Sequence, residues 1–125
     1  MILAKNEIHT AWKNREGPIV LATVDADGVP NAIYASCVSM WDDETIVVAD
    51  NYFDKTRADI LSGSVASVLF VTKDGKSYQI KGDVAYHTQG EIFEEMKRWN
   101  PSRHPGHAAA VIKVDQAFSG LKRLI

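Results

Sequence analysis

The stretch "YQIKGDVAYH", residues 78–87, alternates apolar and polar side chains at the period of a β-strand. Tyr78, Ile80, Val84 and Tyr86 fall on one face, and Gln79, Lys81, Asp83 and His87 on the other. Gly82 interrupts the apolar face. A missing side chain inside a strand points to a bulge or to a neighbour passing close by. The chain just before supplies a partner: residues 66–72 are apolar and β-branched, and Asp74-Gly75 between the two runs is a hairpin signal.

Working outward, the same grammar repeats. Residues 18–24 form a short β-branched run, hence a first strand. Asp27-Gly28 turns it into a second strand over residues 32–40, and Asp42-Asp43 turns that into a third over residues 45–49. After a loop containing Pro101, Pro105 and Gly106, residues 108–114 read as a sixth strand. Three helices are expected. One spans residues 4–14, with Ile8, Ala11 and Trp12 on one side, and stops at Gly17-Pro18. A short one begins at Asp54. The third follows Thr88-Gln89-Gly90-Glu91, which matches a capping box ahead of the stripe Ile92, Phe93, Met96 and Trp99. Most links between strands are too short for a parallel crossover. The expected fold is mainly β: six antiparallel strands closed into a small barrel, flanked by short helices.

A chain of 125 residues suits one domain, residues 1–125. Its formal charge of −2 lacks the basic excess of nucleic-acid-binding domains. The single cysteine, Cys37, excludes an intrachain disulfide and suits a reducing compartment. No apolar run reaches bilayer length, and the N-terminus lacks the pattern of a secretory signal. A soluble, cytoplasmic protein is the expectation.

The chemistry concentrates after the third strand. "NYFDKTRADIL", residues 51–61, opens a helix with Lys55, Thr56 and Arg57 in its first turn. Helix starts are electropositive, so two cations there are locally unfavourable. Two readings stand. Either an anion, most simply a phosphate, is held by the backbone N–H groups, the Thr56 hydroxyl and the cations, or the turn is solvated and offset by Asp54 and Asp59. Other clusters point elsewhere. His104 and His107 have a metal-like spacing in a loop without further ligands nearby. Asp25-x-Asp27-Gly28 reads as a turn, because Ser36 stands where a calcium loop needs its glutamate. Cys37 reads as a packed strand thiol.

Taken together, "TIVVADN", then "DKTRADIL", then "YQIKGDVAYHTQGEIFEEM" resemble the flavin-binding split barrels of the pyridoxamine 5'-phosphate oxidase-like superfamily. The short, single-domain FMN-binding members are the most similar, and the resemblance covers nearly the whole chain. It implies a split barrel and a homodimer with FMN at the subunit interface. Carried over, Lys55 pairs with the FMN phosphate and Thr56 donates to it through hydroxyl and backbone, with Arg57 in reserve. Tyr34, Ala35 and Ser36 line the flavin ring or ribityl chain, and Ala49, Asp50 and Asn51 supply hydrogen bonds to ring and ribityl groups. Asp54 then has to cap the helix or pair with Arg57.

The C-terminal "QAFSGLKRLI" lacks the Arg-x-His element with which the true oxidases hold their substrate, so vitamin B6 oxidation is not expected. The resemblance implies a redox flavoprotein, a reductase or another oxidoreductase, whose catalytic residues and redox partner the sequence leaves open. The alternatives are an electron carrier or accessory flavoprotein, or a split barrel holding a deazaflavin or haem, the last with His87, His104 or His107 as axial ligand.

Overall fold

The computed structural model describes residues 2–125. Helix α1 (Ile2–Lys13) leads into strands β1 (Arg15–Val24), β2 (Pro30–Ala35), β3 (Val38–Asp42) and β4 (Thr45–Asp50). Helix α2 (Lys55–Leu61) precedes β5 (Val65–Thr72) and β6 (Ser77–His87). Helix α3 (Glu91–Trp99) precedes β7 (Ala108–Ser119) and β8 (Lys122–Arg123). The strands form one antiparallel sheet in the order β2-β1-β5-β6-β7-β4-β3, with β8 beside β7. Its two outermost strands, β2 and β3, are consecutive in sequence. The chain therefore closes the sheet into a split barrel by its own connection at Ser36-Cys37.

That corner corrects one expectation. Residues 32–40 are two strands, because β2 pairs with β1 up to Ala35 while β3 pairs with β4 from Val38 onward. No glycine or proline marks the change of partner. The C-terminal end supplies another strand. β7 continues past residue 114 to pair with β6 as far as Tyr78↔Ser119, and β8 then folds back on it. Eight strands replace the six expected; the class, mainly β and antiparallel with flanking helices, stands.

Two local signals were displaced. Gly17-Pro18 does not stop α1, which ends earlier at Lys13. The pair falls inside β1, where the register against β5 shifts between Glu16 and Val20. A residue at φ +75° followed by one with no N–H fits a bulge better than a ladder. Thr88 does not cap α3. The helix starts at Glu91 behind Gly90, whose φ of +98° turns the chain without a side-chain cap.

The inward faces of β1, β5, β6 and β7 bury Leu21, Val68, Ile80 and Ile112 completely, with Ile8 and Trp12 of α1 packed over them. Trp12 meets Phe70 edge-on at 5.4 Å, and Phe70 stacks on Tyr78. The outer face is unequal. α3 covers β4 and β7, where Met96 packs against Val47, Ala49 and Ala109. The other half is bare, leaving Val65, Leu69 and Val71 of β5 at 57%, 44% and 48% exposure.

Candidate functional site

At the end of β4 the chain leaves the sheet through Asp50, a fully buried carboxylate. It accepts the Phe53 N–H at 3.0 Å, the Arg57 Nε at 2.8 Å, the Arg57 Nη2 at 3.0 Å and the Tyr86 hydroxyl. Arg57 Nε also lies 3.1 Å from the Tyr86 oxygen. Hydrogen bonding to Asp50, and then to Tyr86, raises the pKa of Arg57 and keeps it charged. Burial first, and the bond to Asp50 second, raise that of Tyr86. One of the two unfavourable cations is thus explained from within: Arg57 pairs with a buried carboxylate.

The other residues of this turn divide by burial. Lys55 is exposed, and among the described residues no carboxylate lies within ion-pair distance of it. Asp54 stands at the N-cap but makes no side-chain cap bond and does not pair with Arg57. Thr56 is 1% exposed, and its oxygen accepts from Asn31 Nδ2 at 2.9 Å. Asn31 also donates to Thr23, which donates to the buried Asp59 at 2.7 Å. The Thr56 side chain therefore anchors α2 to β1 and β2. Asp59 serves the same anchor.

A cavity of about 300 Å³ opens where the β2–β3 corner meets the end of β4. Tyr34, Ala35 and Ser36 line it from the corner, with Ala49 and Asn51 opposite. Five of the eight residues expected from sequence are thus brought together. Lys55 and Thr56 are not on its wall, and neither is Asp50. The Asp50 carboxylate is taken up as above, and its carbonyl accepts the His107 N–H at 2.8 Å. Larger hollows of about 430 and 550 Å³ lie beside the Gly82 bulge and beside α1, away from these groups.

Ile33, Cys37, Tyr52 and Phe53 also line the cavity and were not expected there, and His104, expected only as an axial ligand of the haem alternative, lines it too. Tyr52 and Phe53 directly follow Asn51 and were within reach of the same reasoning. His104 was not, because its place depends on how the loop at residues 101–107 returns. The hydroxyl of Tyr52 lies 3.0 Å from His104 Nδ1, with the two rings edge-on. Asn51 holds that loop. It donates to Asn100 Oδ1 at 3.1 Å, while its own Oδ1 accepts from Asn100 Nδ2 at 2.9 Å and Gly106 N at 3.0 Å. Its amide keeps a single N–H for anything in the cavity.

Residues 6–123 match the family described as pyridoxamine 5'-phosphate oxidase. The chain belongs to this family. A relative within reach of sequence comparison is the uncharacterized protein MJ0282 of Methanocaldococcus jannaschii, 32% identical over 114 residues, or 86% of this chain and 76% of that one. HupZ of Group A Streptococcus is similar in structure, with a TM-score of 0.80 and 28% identity, covering 94% of this chain and 93% of HupZ. An FMN-binding protein from Syntrophomonas wolfei superposes with a TM-score of 0.77, covering 94% of this chain and 86% of its own. At 22% identity that likeness shows the fold alone.

Proposed function

We propose that this protein is a homodimeric FMN-binding flavoprotein with a redox role. The observation that carries the reading is the cavity between the β2–β3 corner and the end of β4, with an unpaired Lys55 two residues beyond Phe53 on its wall. Two residues span at most about 7 Å, so a ring in the cavity and a phosphate at Lys55 lie within the reach of one small ligand. Tyr34, Ala35, Ser36 and Ala49 would hold the flavin, with the one N–H left on Asn51. Lys55 and Thr56 would hold the phosphate. Bound there, FMN supplies the electron or hydride transfer, and the chain supplies binding, orientation and shielding from water.

The dimer rests on the bare half of the outer face. Val65, Leu69 and Val71 form an aliphatic row that α3 does not reach, and Tyr34, across β1 in register with Leu69, is 78% exposed. A second copy covers such a face at the usual scale of about 800 Å² per partner. A monomer by light scattering that still bound FMN tightly would remove the dimer from this reading.

The first test is the visible spectrum of the purified protein, with mass spectrometry of what heat releases. A yellow protein releasing FMN supports the cofactor; a colourless protein that takes up no added FMN rejects it. A Soret band would select haem instead. That second reading has one observation in its favour: of His87, His104 and His107, only His104 lines the cavity. It leaves Lys55 without a role.

Lys55→Ala is expected to weaken FMN by about ten- to a hundredfold, the size of a charge-assisted hydrogen bond, and to leave riboflavin almost unchanged. Isothermal titration with both ligands checks this. Equal losses would remove the phosphate from Lys55. Steady-state assays with NADH and NADPH then separate a reductase from a carrier that takes electrons only from chemical or protein donors.

A further inference from the structure

The loop at residues 101–107 has little packing of its own, yet it is tied down at both ends. Asn51 and Asn100 are 8% and 7% exposed and exchange two amide hydrogen bonds. Gly106 N donates into the same Asn51 oxygen, and His107 N reaches the Asp50 carbonyl. Lys97 of α3 closes the far side by donating to the Pro105 and Gly106 carbonyls at 2.9 and 3.3 Å. Gly106 has a φ of +54°, and a Cβ there would press on Asn100 Nδ2 at 3.0 Å and Lys97 Nζ at 3.1 Å. Each tie fixes backbone that carries no other regular structure.

What the ties hold is a wall. His104 lines the cavity with Tyr52, and Pro101 and Arg103 line an adjoining cleft with Ser36 and Trp99. Cys37 belongs to both hollows, each of which the loop walls on one side. An amide pair is suited to this task. Two buried amides that bond only to each other and to one backbone N–H fix a distance and a plane, and either one alone leaves buried polar atoms unsatisfied.

We propose that Asn51 and Asn100 are positioning residues of the candidate site. Their amide pair seats the loop, sets His104 and Tyr52 as one wall of the cavity, and thereby governs the affinity for the planar ligand held there. The ligand half of this inference rests on the flavin reading above; the seating does not.

Cys37, the single cysteine, reports the seat without any ligand. In the full-length protein, Asn100→Ala removes both amide hydrogen bonds and is expected to raise the iodoacetamide alkylation rate of Cys37 by about tenfold or more, one buried hydrogen bond alone being worth up to about tenfold in open population. Lys97→Met removes only the bonds to the Pro105 and Gly106 carbonyls and should give a smaller rise; it also serves if the alanine variant fails to fold. Unchanged alkylation in a folded variant overturns the seating. The second measurement is FMN affinity in a double-mutant cycle of Asn100→Ala with His104→Ala. If Asn100 acts through His104, the second change costs almost nothing once the first is present, whereas independent effects multiply. Multiplying losses overturn the positioning role. A wild-type protein that takes no FMN overturns the cofactor reading and the ligand half of this one, and the alkylation result still decides the seat.

Discussion

Gly82→Ala is expected to lower the melting temperature by about 10 °C or more, with misfolded protein as the extreme outcome. A Cβ at this position would lie 1.7 Å from the Lys113 carbonyl oxygen and 2.8 Å from its carbon. Both atoms are backbone and cannot swing aside as a side chain would. To admit one methyl group, the bulge that sets Gly82 against Val114 must open, and with it the β6–β7 ladder. Ordinary overpacking costs about 1–3 kcal/mol, and displaced backbone belongs at or above the top of that range. Gly75→Ala is the control. Nothing lies within 4 Å of its Cβ, so only the φ of +84° is strained, at about 1–2 kcal/mol. Thermal melts of the two variants side by side test the claim, and equal losses would reject the close approach.

Gly82 also marks how far the fold was legible. The alternation around it is a local signal, since side chains on a strand report their own face. The glycine's departure from that pattern required a neighbour, and the neighbour is Lys113 on β7. What could not be read was which ladder a strand joins. The corner at Ser36-Cys37 keeps β propensity on both sides and changes only its partner, so an uninterrupted strand was the natural expectation. Gly17-Pro18 misled in the opposite sense. Breakers announce that regular structure is disturbed, and here the disturbance was a bulge in β1 rather than the end of α1.

The site was legible where it is built from contiguous chain. Residues 34–36 and 49–51 are short segments, and all but Asp50 line the cavity. It was illegible where it depends on what a side chain faces. Lys55 and Arg57 are alike in sequence, two residues apart at one helix start. The first is exposed and the second returns to Asp50. Thr56 carries a hydroxyl suited to an anion but is buried, its oxygen accepting from Asn31. His104 had no signal beyond its chemistry, because the loop that brings it to Tyr52 is held by Asn51, far away in sequence.

Asp50→Ala is expected to cost about 2–4 kcal/mol, the loss of satisfaction for two donors, Phe53 N–H and the Tyr86 hydroxyl. Nothing is added for Arg57, whose side chain is 35% exposed and rehydrates. Asp54→Ala, only four residues on, removes an exposed carboxylate with no cap bond, and surface changes of this kind stay within about 0.5 kcal/mol. Urea denaturation of both variants decides whether the turn depends on the buried acid or the exposed one. The alkaline limb tests the same node. The pKa of Tyr86 is raised, by burial and then by Asp50. A group raised on folding stabilises fully below its unfolded value, about 10 for tyrosine, and that contribution is lost as pH climbs through the folded value. Wild type should therefore lose stability above about pH 10 more steeply than Tyr86→Phe. In Asp50→Ala the raising effect of the carboxylate is gone, so the phenol should ionise earlier in an ultraviolet titration. If Tyr86 ionised no earlier there than in wild type, the hydrogen bond between the two side chains would have no part in holding the turn that leads to Lys55.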